Sequence, residues 1–240
     1  PMVEILEMPG IFPDPETAKK AVRAWKPIEA KILDQKANAV LLGMALYPDN
    51  WFFSKRPLRT LEDFKGLKVR VHSVATASLV AGLGGMPLTI PFAEVYTALE
   101  RGTLDAGLTS AKPGFGLRWY EVSKYLVGPI LMRPHVALSM NKAAWQRLPP
   151  DIQKIMKEEA ERVVEARAFT AIEEWNQEGM TKNVEKGMEH LPFSPEIRAA
   201  IKEIVRTKVI PDWVKRAGGA EAARLFNEII APLVGFKVDS

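Results

Sequence analysis

The 240-residue sequence contains no cysteine, which removes disulfides, thiolate metal sites and cysteine nucleophiles from consideration. Histidine is almost as scarce. His72, His135 and His190 lie far apart, and no HExxH, GxSxG, GxGxxG or phosphate-loop pattern accompanies them. No apolar run approaches the ~20 residues that a membrane-crossing helix needs. The net charge of +4 comes from Lys and Arg scattered among Asp and Glu, so there is no basic stripe for nucleic acid. Missing thiols suit an oxidising compartment, as they suit many reducing ones. Pro1 opens the chain with neither an initiator Met nor a charged-then-apolar leader; a removed signal and a cut N-terminus account for this equally.

What is present is a chain long enough for one large domain or two small lobes, with 47% apolar residues to build their cores. Met2 to Pro15 is apolar but broken by prolines and Gly10, so it is not one helix. Asp14, Pro15 and Glu16 form a helix start, and Ala18, Val22, Trp25, Ile28 and Ile32 recur on one face to about Gln35. Ala39 to Tyr47 reads as a buried strand, ended by Pro48-Asp49-Asn50. Beyond Thr60 the pattern alternates: strand Lys68–His72, helix Ala75–Leu83, strand Pro87–Pro91, helix Ala93–Arg101, strand Leu104–Ser110. That order predicts an α/β class with a parallel sheet and crossover helices. Along the first strand, Val69 and Val71 share one face and Arg70 and His72 the other.

Pro113, Gly114 and Gly116 predict a loop, followed by a helix carrying Trp119, Tyr120 and Val122 as core. Strands are expected at Tyr125–Met132 and His135–Met140. A long helix starts at Pro149-Pro150-Asp151 and runs to Trp175 or as far as Gly187, roughly 40–50 Å at ~1.5 Å per residue. Its expected buried stripe is Ile152, Met156, Val163, Ile172 and Trp175. Lys154/Glu158, Lys157/Glu161 and Glu158/Arg162 are spaced to pair on the solvated side. A helix of that length spans two lobes or reaches a partner. A short strand (Glu189–Phe193) and three helices close the chain.

The run Leu61-Glu62-Asp63-Phe64-Lys65-Gly66-Leu67-Lys68-Val69-Arg70-Val71, then Pro91-Phe92-Ala93-Glu94-Val95-Tyr96-Thr97-Ala98-Leu99, then Gly102-Thr103-Leu104-Asp105, resembles the solute-binding proteins of tripartite ATP-independent periplasmic (TRAP) transporters. Ser54-Lys55-Arg56-Pro57, Trp119-Tyr120-Glu121-Val122 and Leu148-Pro149-Pro150-Asp151-Ile152-Gln153 extend the resemblance along the chain. It implies a two-lobed, periplasmic-binding-protein-like architecture with a long helix spanning both lobes. It also implies a periplasmic receptor that delivers a small organic carboxylate to the transporter's membrane subunits, without catalysis, cofactor or nucleic acid. Family members begin with βα units ahead of the position of Pro1, so the resemblance implies that the N-terminal portion and part of the ligand site are missing. The expected division is residues 1–47 in lobe I, 48–132 as the α/β core of lobe II, and 133–240 returning to lobe I with the long helix.

By the same resemblance, Arg70 matches the arginine that forks onto the ligand carboxylate, as a planar guanidinium suits. Its alternative is an ordinary pairing with a neighbouring Asp or Glu. Phe92 matches an aromatic that packs on the ligand, with plain helix-entry core as the other reading. Thr109 falls where the family carries a ligand-binding Asn, and Ser110 follows it, so hydroxyls are expected in place of the amide. His72 and Ser73 lie just past Arg70 and are further candidates. The Tyr47 to Phe53 segment offers Tyr47 and Trp51 but no second arginine, which favours a ligand with one carboxylate and an apolar or aromatic body, such as an aromatic, keto or hydroxy acid. Trp51-Phe52-Phe53 as a wedge between lobes is the competing reading. Two other classes stay open: an enzyme on carboxylic acids, with Asp105 and His72 as a possible acid–base pair, and an interaction module dimerising through the long helix.

Overall fold

The Asp14 carboxylate accepts the backbone N–H of Thr17 at 2.8 Å, and this cap opens α1 (Pro15–Lys36) where the sequence places it. Ahead of it, residues 2–7 form a 3₁₀ turn, consistent with a proline-broken start. The computed structural model describes residues 1–239. The strands are β1 (Ala39–Leu46), β2 (Asn50–Ser54), β3 (Lys68–Val71), β4 (Met86–Thr89), β5 (Ala106–Ser110), β6 (Tyr125–Ile130), β7 (His135–Asn141) and β8 (Glu189–Leu191). Crossover helices α2 (Val74–Gly82) and α3 (Val95–Glu100) link β3, β4 and β5, and α4 (Ala111–Gly116) follows β5.

The strands form a six-stranded sheet in the order β4-β3-β5-β2-β6-β8 and a separate antiparallel β1-β7 ladder. β3 runs parallel to β4 and β5, as the alternation predicts. β2 lies at the centre, antiparallel to β5 and β6, so the sheet is mixed. β2 was not expected: Trp51, Phe52 and Phe53 form this strand, buried on both faces, and do not wedge between lobes. The second departure is α4, which occupies the stretch read as a loop, while only a 3₁₀ turn carries Trp119 to Glu121. Gly114 is there for space: a Cβ on it would lie 2.3 Å from the Phe53 ring.

Helix α5 (Lys142–Gln146) precedes the long helix, which is one rod of three parts: α6 (Pro150–Glu159), a π-helical stretch (Ala160–Arg167) and α7 (Ala168–Glu185). Its first half packs on β1, where a Cβ on Gly43 would stand 3.3 Å from the Ala160 carbonyl oxygen. Its second half packs on α4, with Gly179 so close that a Cβ would meet the Lys112 backbone nitrogen at 2.4 Å. The rod thus touches both the β1-β7 ladder and the six-stranded sheet's own helix. Its buried face is Ala160, Phe169, Ile172, Gly179 and Asn183, whereas Ile152, Val163 and Trp175 are exposed. Of the expected stripe Ile172 is buried and Met156 half-buried, and burial concentrates where the rod meets β1 and α4. Of the expected ion pairs only Lys154–Glu158 is made; Arg162 turns to Glu159, and Lys157 lies over the Trp145 ring.

The last helices are α8 (Pro195–Ile204), α9 (Ile210–Ala217), α10 (Ala220–Leu225) and α11 (Ala231–Val234); π-helical stretches join α8 to α9 and α10 to α11, and a Gly218-Gly219 turn joins α9 to α10. Ile197, Ile201, Val205 and Phe226 of this group join Phe52, Val69, Val71 and Leu79 in one large core on the Val69 face of the six-stranded sheet. A second core, built on Trp51, Phe53, Val95, Leu99 and Trp119, fills the opposite face.

Candidate functional site

In open α/β sheets ligands gather beyond the carboxyl ends of parallel strands. At that end of β3, register pairs Arg70 with Leu88 on one side and Gly107 on the other. Strand alternation puts Thr109 on the same face as Gly107, and Trp51 stands opposite Thr109 across β2. Arg70, Thr109 and Trp51 therefore share one face. Gly107 keeps that face low, because a Cβ there would come within 2.9 Å of the Trp119 ring.

Arg70 is only 7% exposed. Its Nε donates to the Ile90 carbonyl at 3.2 Å and Nη1 to the Leu108 carbonyl at 3.0 Å. The Phe92 ring covers the guanidinium, with its centroid 5.4 Å from Cζ. Among the described residues, Nη2 makes no hydrogen bond and no carboxylate pairs with Arg70. A side chain that stays charged at any physiological pH is thus buried with its acid missing, a costly arrangement unless something else supplies the anion. Burial lowers its pKa, with nothing opposing the effect. Two carbonyls fix the fork, and Nη2 is left without a hydrogen bond among the described residues.

Phe92 packs its ring against Trp119, centroids 5.3 Å apart, and remains 37% exposed, so it presents an apolar surface beside the cation. Thr109 is buried, and its hydroxyl makes no hydrogen bond among the described residues. His72 follows Arg70 on the same side. Surrounding protein and the Arg70 charge push its pKa down to about 4, although its surface is open to solvent, so the ring is neutral at pH 7.

Two candidates are engaged elsewhere. Ser110 lies on the other face of β5 and donates its hydroxyl to the Pro48 carbonyl at 2.7 Å. Ser73 caps α2, accepting the Thr76 N–H at 3.2 Å while Thr76 Oγ1 accepts the Ser73 N–H at 3.1 Å. Tyr47 is about half exposed and sits in the β1-to-β2 crossing, where its N–H donates to the Pro134 carbonyl at 2.7 Å. The two strand crossings, 47–49 and 131–134, therefore run side by side.

They carry a charged cluster that was not anticipated. Arg133 donates to Asp49 at 2.7 Å, both side chains being almost fully buried, and Glu173 approaches Arg133 at 3.6 Å. Asn176, from the same helix as Glu173, accepts the Asp49 N–H at 2.8 Å and donates to its carboxylate at 3.1 Å. Burial and the nearby Glu173 raise the Asp49 pKa to about 7, against the pull of Arg133. The sequence does contain a second arginine near the crossings, but it is 84 residues from Asp49. Its only local signal is an Arg-Pro break between two apolar strands. Among the described residues, no three or more His, Cys, Asp or Glu converge as a metal site, and no helix is long and apolar enough to cross a membrane.

A two-lobed α/β frame with an unpaired buried arginine at the sheet end defines a ligand-binding protein. Residues 1–212 match the family model described as bacterial extracellular solute-binding protein, family 7, and the chain belongs to that family. It is 30% identical over 92% of its length to the C4-dicarboxylate-binding periplasmic protein DctP of Rhodobacter capsulatus, covering 66% of that protein. It is 29% identical over 67% of its length to the 2,3-diketo-L-gulonate-binding periplasmic protein YiaO of Escherichia coli K12, covering 50% of it. The chain thus spans half to two thirds of these curated relatives. Among solved structures, DctP7 of Bordetella pertussis, an extracytoplasmic solute receptor binding pyroglutamic acid, superposes with a TM-score of 0.87 at 28% identity, over 95% of this chain and 74% of that one. A TRAP periplasmic solute-binding protein of Desulfovibrio salexigens with bound orotic acid also gives a TM-score of 0.87, at 25% identity over 96% and 75% of the two chains.

Proposed function

We propose that this chain is the ligand-binding part of a periplasmic receptor that captures a small organic carboxylate on Arg70 and delivers it to the membrane subunits of a TRAP-type transporter. The observation that carries the reading is a buried guanidinium fixed by two carbonyls and lacking any acid of its own. Phe92 and Trp51 supply apolar walls, Thr109 a hydroxyl, and neutral His72 a ring nitrogen on the rim. Tyr47, at the crossing, stands where a closing lobe would meet the ligand. One fixed cation and several aromatic surfaces favour a ligand with one carboxylate and an apolar, aromatic or keto body. Relatives that bind pyroglutamic and orotic acids fit that class.

In this reading residues 1–47 join β7, α5 and the first half of the long helix in one lobe, and 48–132 form the core of the other, with β8 added to its sheet and the helices from α8 onward packed against it. The lobes close about the paired crossings, and the closed form is what the membrane partner recognises. In this reading the ligand leaves chemically unchanged. A thermal-shift screen of aromatic, keto, hydroxy and sugar acids tests the reading: at 100 times its Kd a ligand stabilises the fold by about 2.7 kcal/mol. Mass spectrometry of the released ligand then separates a receptor from an enzyme. No stabilisation by any carboxylate, or recovery of an altered acid, overturns it.

A further inference from the structure

A cavity of about 450 Å³ lies away from Arg70, at the opposite edge of the sheet. The end of β6 and the crossing after it (Gly128–Leu131), the segment after β8, α8 and the C-terminal tail enclose it. Its walls are largely apolar, with Ile11, Ile130, Phe193, Ile201, Val205 and Phe236 among them. Such a volume falls within the ~300–1,000 Å³ of small-ligand sites.

The charged groups of the lining are all of one sign. Arg198, Lys202 and Arg206 stand four residues apart along α8 and the π-helical stretch after it, and among the described residues no Asp or Glu lines the cavity. Arg198 gives only Nε to the protein, donating to the Phe193 carbonyl at 3.0 Å. Arg206 makes an exposed pair with Glu203 at 3.2 Å, which contributes little. Lys202 has no acidic partner among the described residues. An apolar chamber with a cationic rim complements a molecule with an apolar body and one anionic end. A cationic occupant finds no opposite charge among the described residues of the lining.

We infer that this cavity is a second binding site, separate from the Arg70 site, for a medium-chain monocarboxylate: chain inward, carboxylate on the α8 rim. The inference stands whether or not Arg70 binds the ligand proposed above.

Decanoate, kept below its micellar concentration, is the probe, titrated by calorimetry into the whole chain alongside decanol and decyltrimethylammonium. In the Arg70→Ala protein, where the first site has lost its cation, decanoate is expected to bind with one-to-one stoichiometry, and each control about tenfold more weakly or not at all. Reversing the exposed rim in that background with Lys202→Glu and Arg206→Glu should weaken decanoate about tenfold at low salt. Should the rim double variant lose its circular dichroism, Val234→Trp provides the alternative, narrowing the chamber from a half-buried position without touching charge. Loss of decanoate binding in Arg70→Ala would place the probe in the first site and overturn the inference. So would equal binding of the cationic amphiphile, unchanged affinity in the folded rim or Val234→Trp variant, or binding only to anionic lipid vesicles.

Discussion

Two arginines are buried to nearly the same degree, Arg70 at 7% exposed and Arg133 at 4%, and they do opposite things. Arg133 has its acid inside the protein: Asp49 at 2.7 Å, itself held by Asn176, with Glu173 beyond. The pair joins the two strand crossings to the long helix. Arg70 has two backbone carbonyls, an aromatic face and, among the described residues, no acid; in the proposed function the ligand supplies the anion. On that proposal a buried cation paired within the fold is structure, and one left unpaired is a socket. Burial alone does not distinguish them. The inventory of partners does.

If that contrast is right, the largest structural effect belongs to the crossing. Asp49→Ala strands a buried guanidinium that cannot shed its proton, and Glu173 at 3.6 Å compensates in part. Unfolding in urea should show a loss of about 3 kcal/mol. Arg133→Met should cost less, because Asp49 can take up a proton once its partner is gone. Equal losses for both would remove the asymmetry from the account.

Stability of the native chain should also carry an Asp49 signature in pH. Its folded pKa of about 7 lies above its usual value of 3.8, so the folded state holds a proton that the unfolded chain releases first. The contribution is complete below about pH 4, declines as pH rises toward 7, and is constant beyond that. Asp49→Asn should flatten this segment of the stability curve. A native curve that rises between pH 4 and 7, unchanged by the substitution, would reverse the assigned direction.

A smaller effect is expected on the socket side. Thr109 offers one neutral hydroxyl on the Arg70 face, so Thr109→Ala should weaken carboxylate binding by about 0.5–1.5 kcal/mol in calorimetry. Ser110→Ala should leave affinity unchanged, since that hydroxyl serves the Pro48 carbonyl on the other face.

Much of this frame is legible in the sequence because it is local. The Asp14 cap, the β3-to-β5 alternation and the Pro-Pro-Asp start of the long helix each report on a few neighbouring residues. The failures are where distant contacts decide. Trp51-Phe52-Phe53 reads as an aromatic patch because a central strand, buried on both faces, shows no alternation. Pro113-Gly114-Phe115-Gly116 reads as a loop, whereas Gly114 is small to admit the Phe53 ring. The long helix's buried stripe is recovered only at Ile172 and, in part, at Met156, because the partners that cover the rod, β1 and α4, lie far away in sequence. Arg70 is singled out by its motif and its strand face, and the fold leaves it buried without an acid among the described residues. Arg133 escapes, since its pairing closes a loop of 84 residues. Ser73 and Ser110 look like ligand groups until their caps and carbonyl partners are visible.

The central claim is that Arg70 lacks an acid because the ligand brings it, and calorimetry on Arg70→Ala and Arg70→Lys tests this most directly. With a carboxylate found by the thermal-shift screen, Arg70→Ala should weaken binding by about 2–5 kcal/mol, one and a half to three and a half powers of ten. Arg70→Lys should fail to restore it, since an ammonium does not reproduce two parallel N–H bonds. Both variants should stay folded, because Arg70 pairs with no acid among the described residues and only two hydrogen bonds, to the Ile90 and Leu108 carbonyls, are at stake. Near-native affinity in a folded Arg70→Ala protein would contradict the account, placing the carboxylate somewhere else.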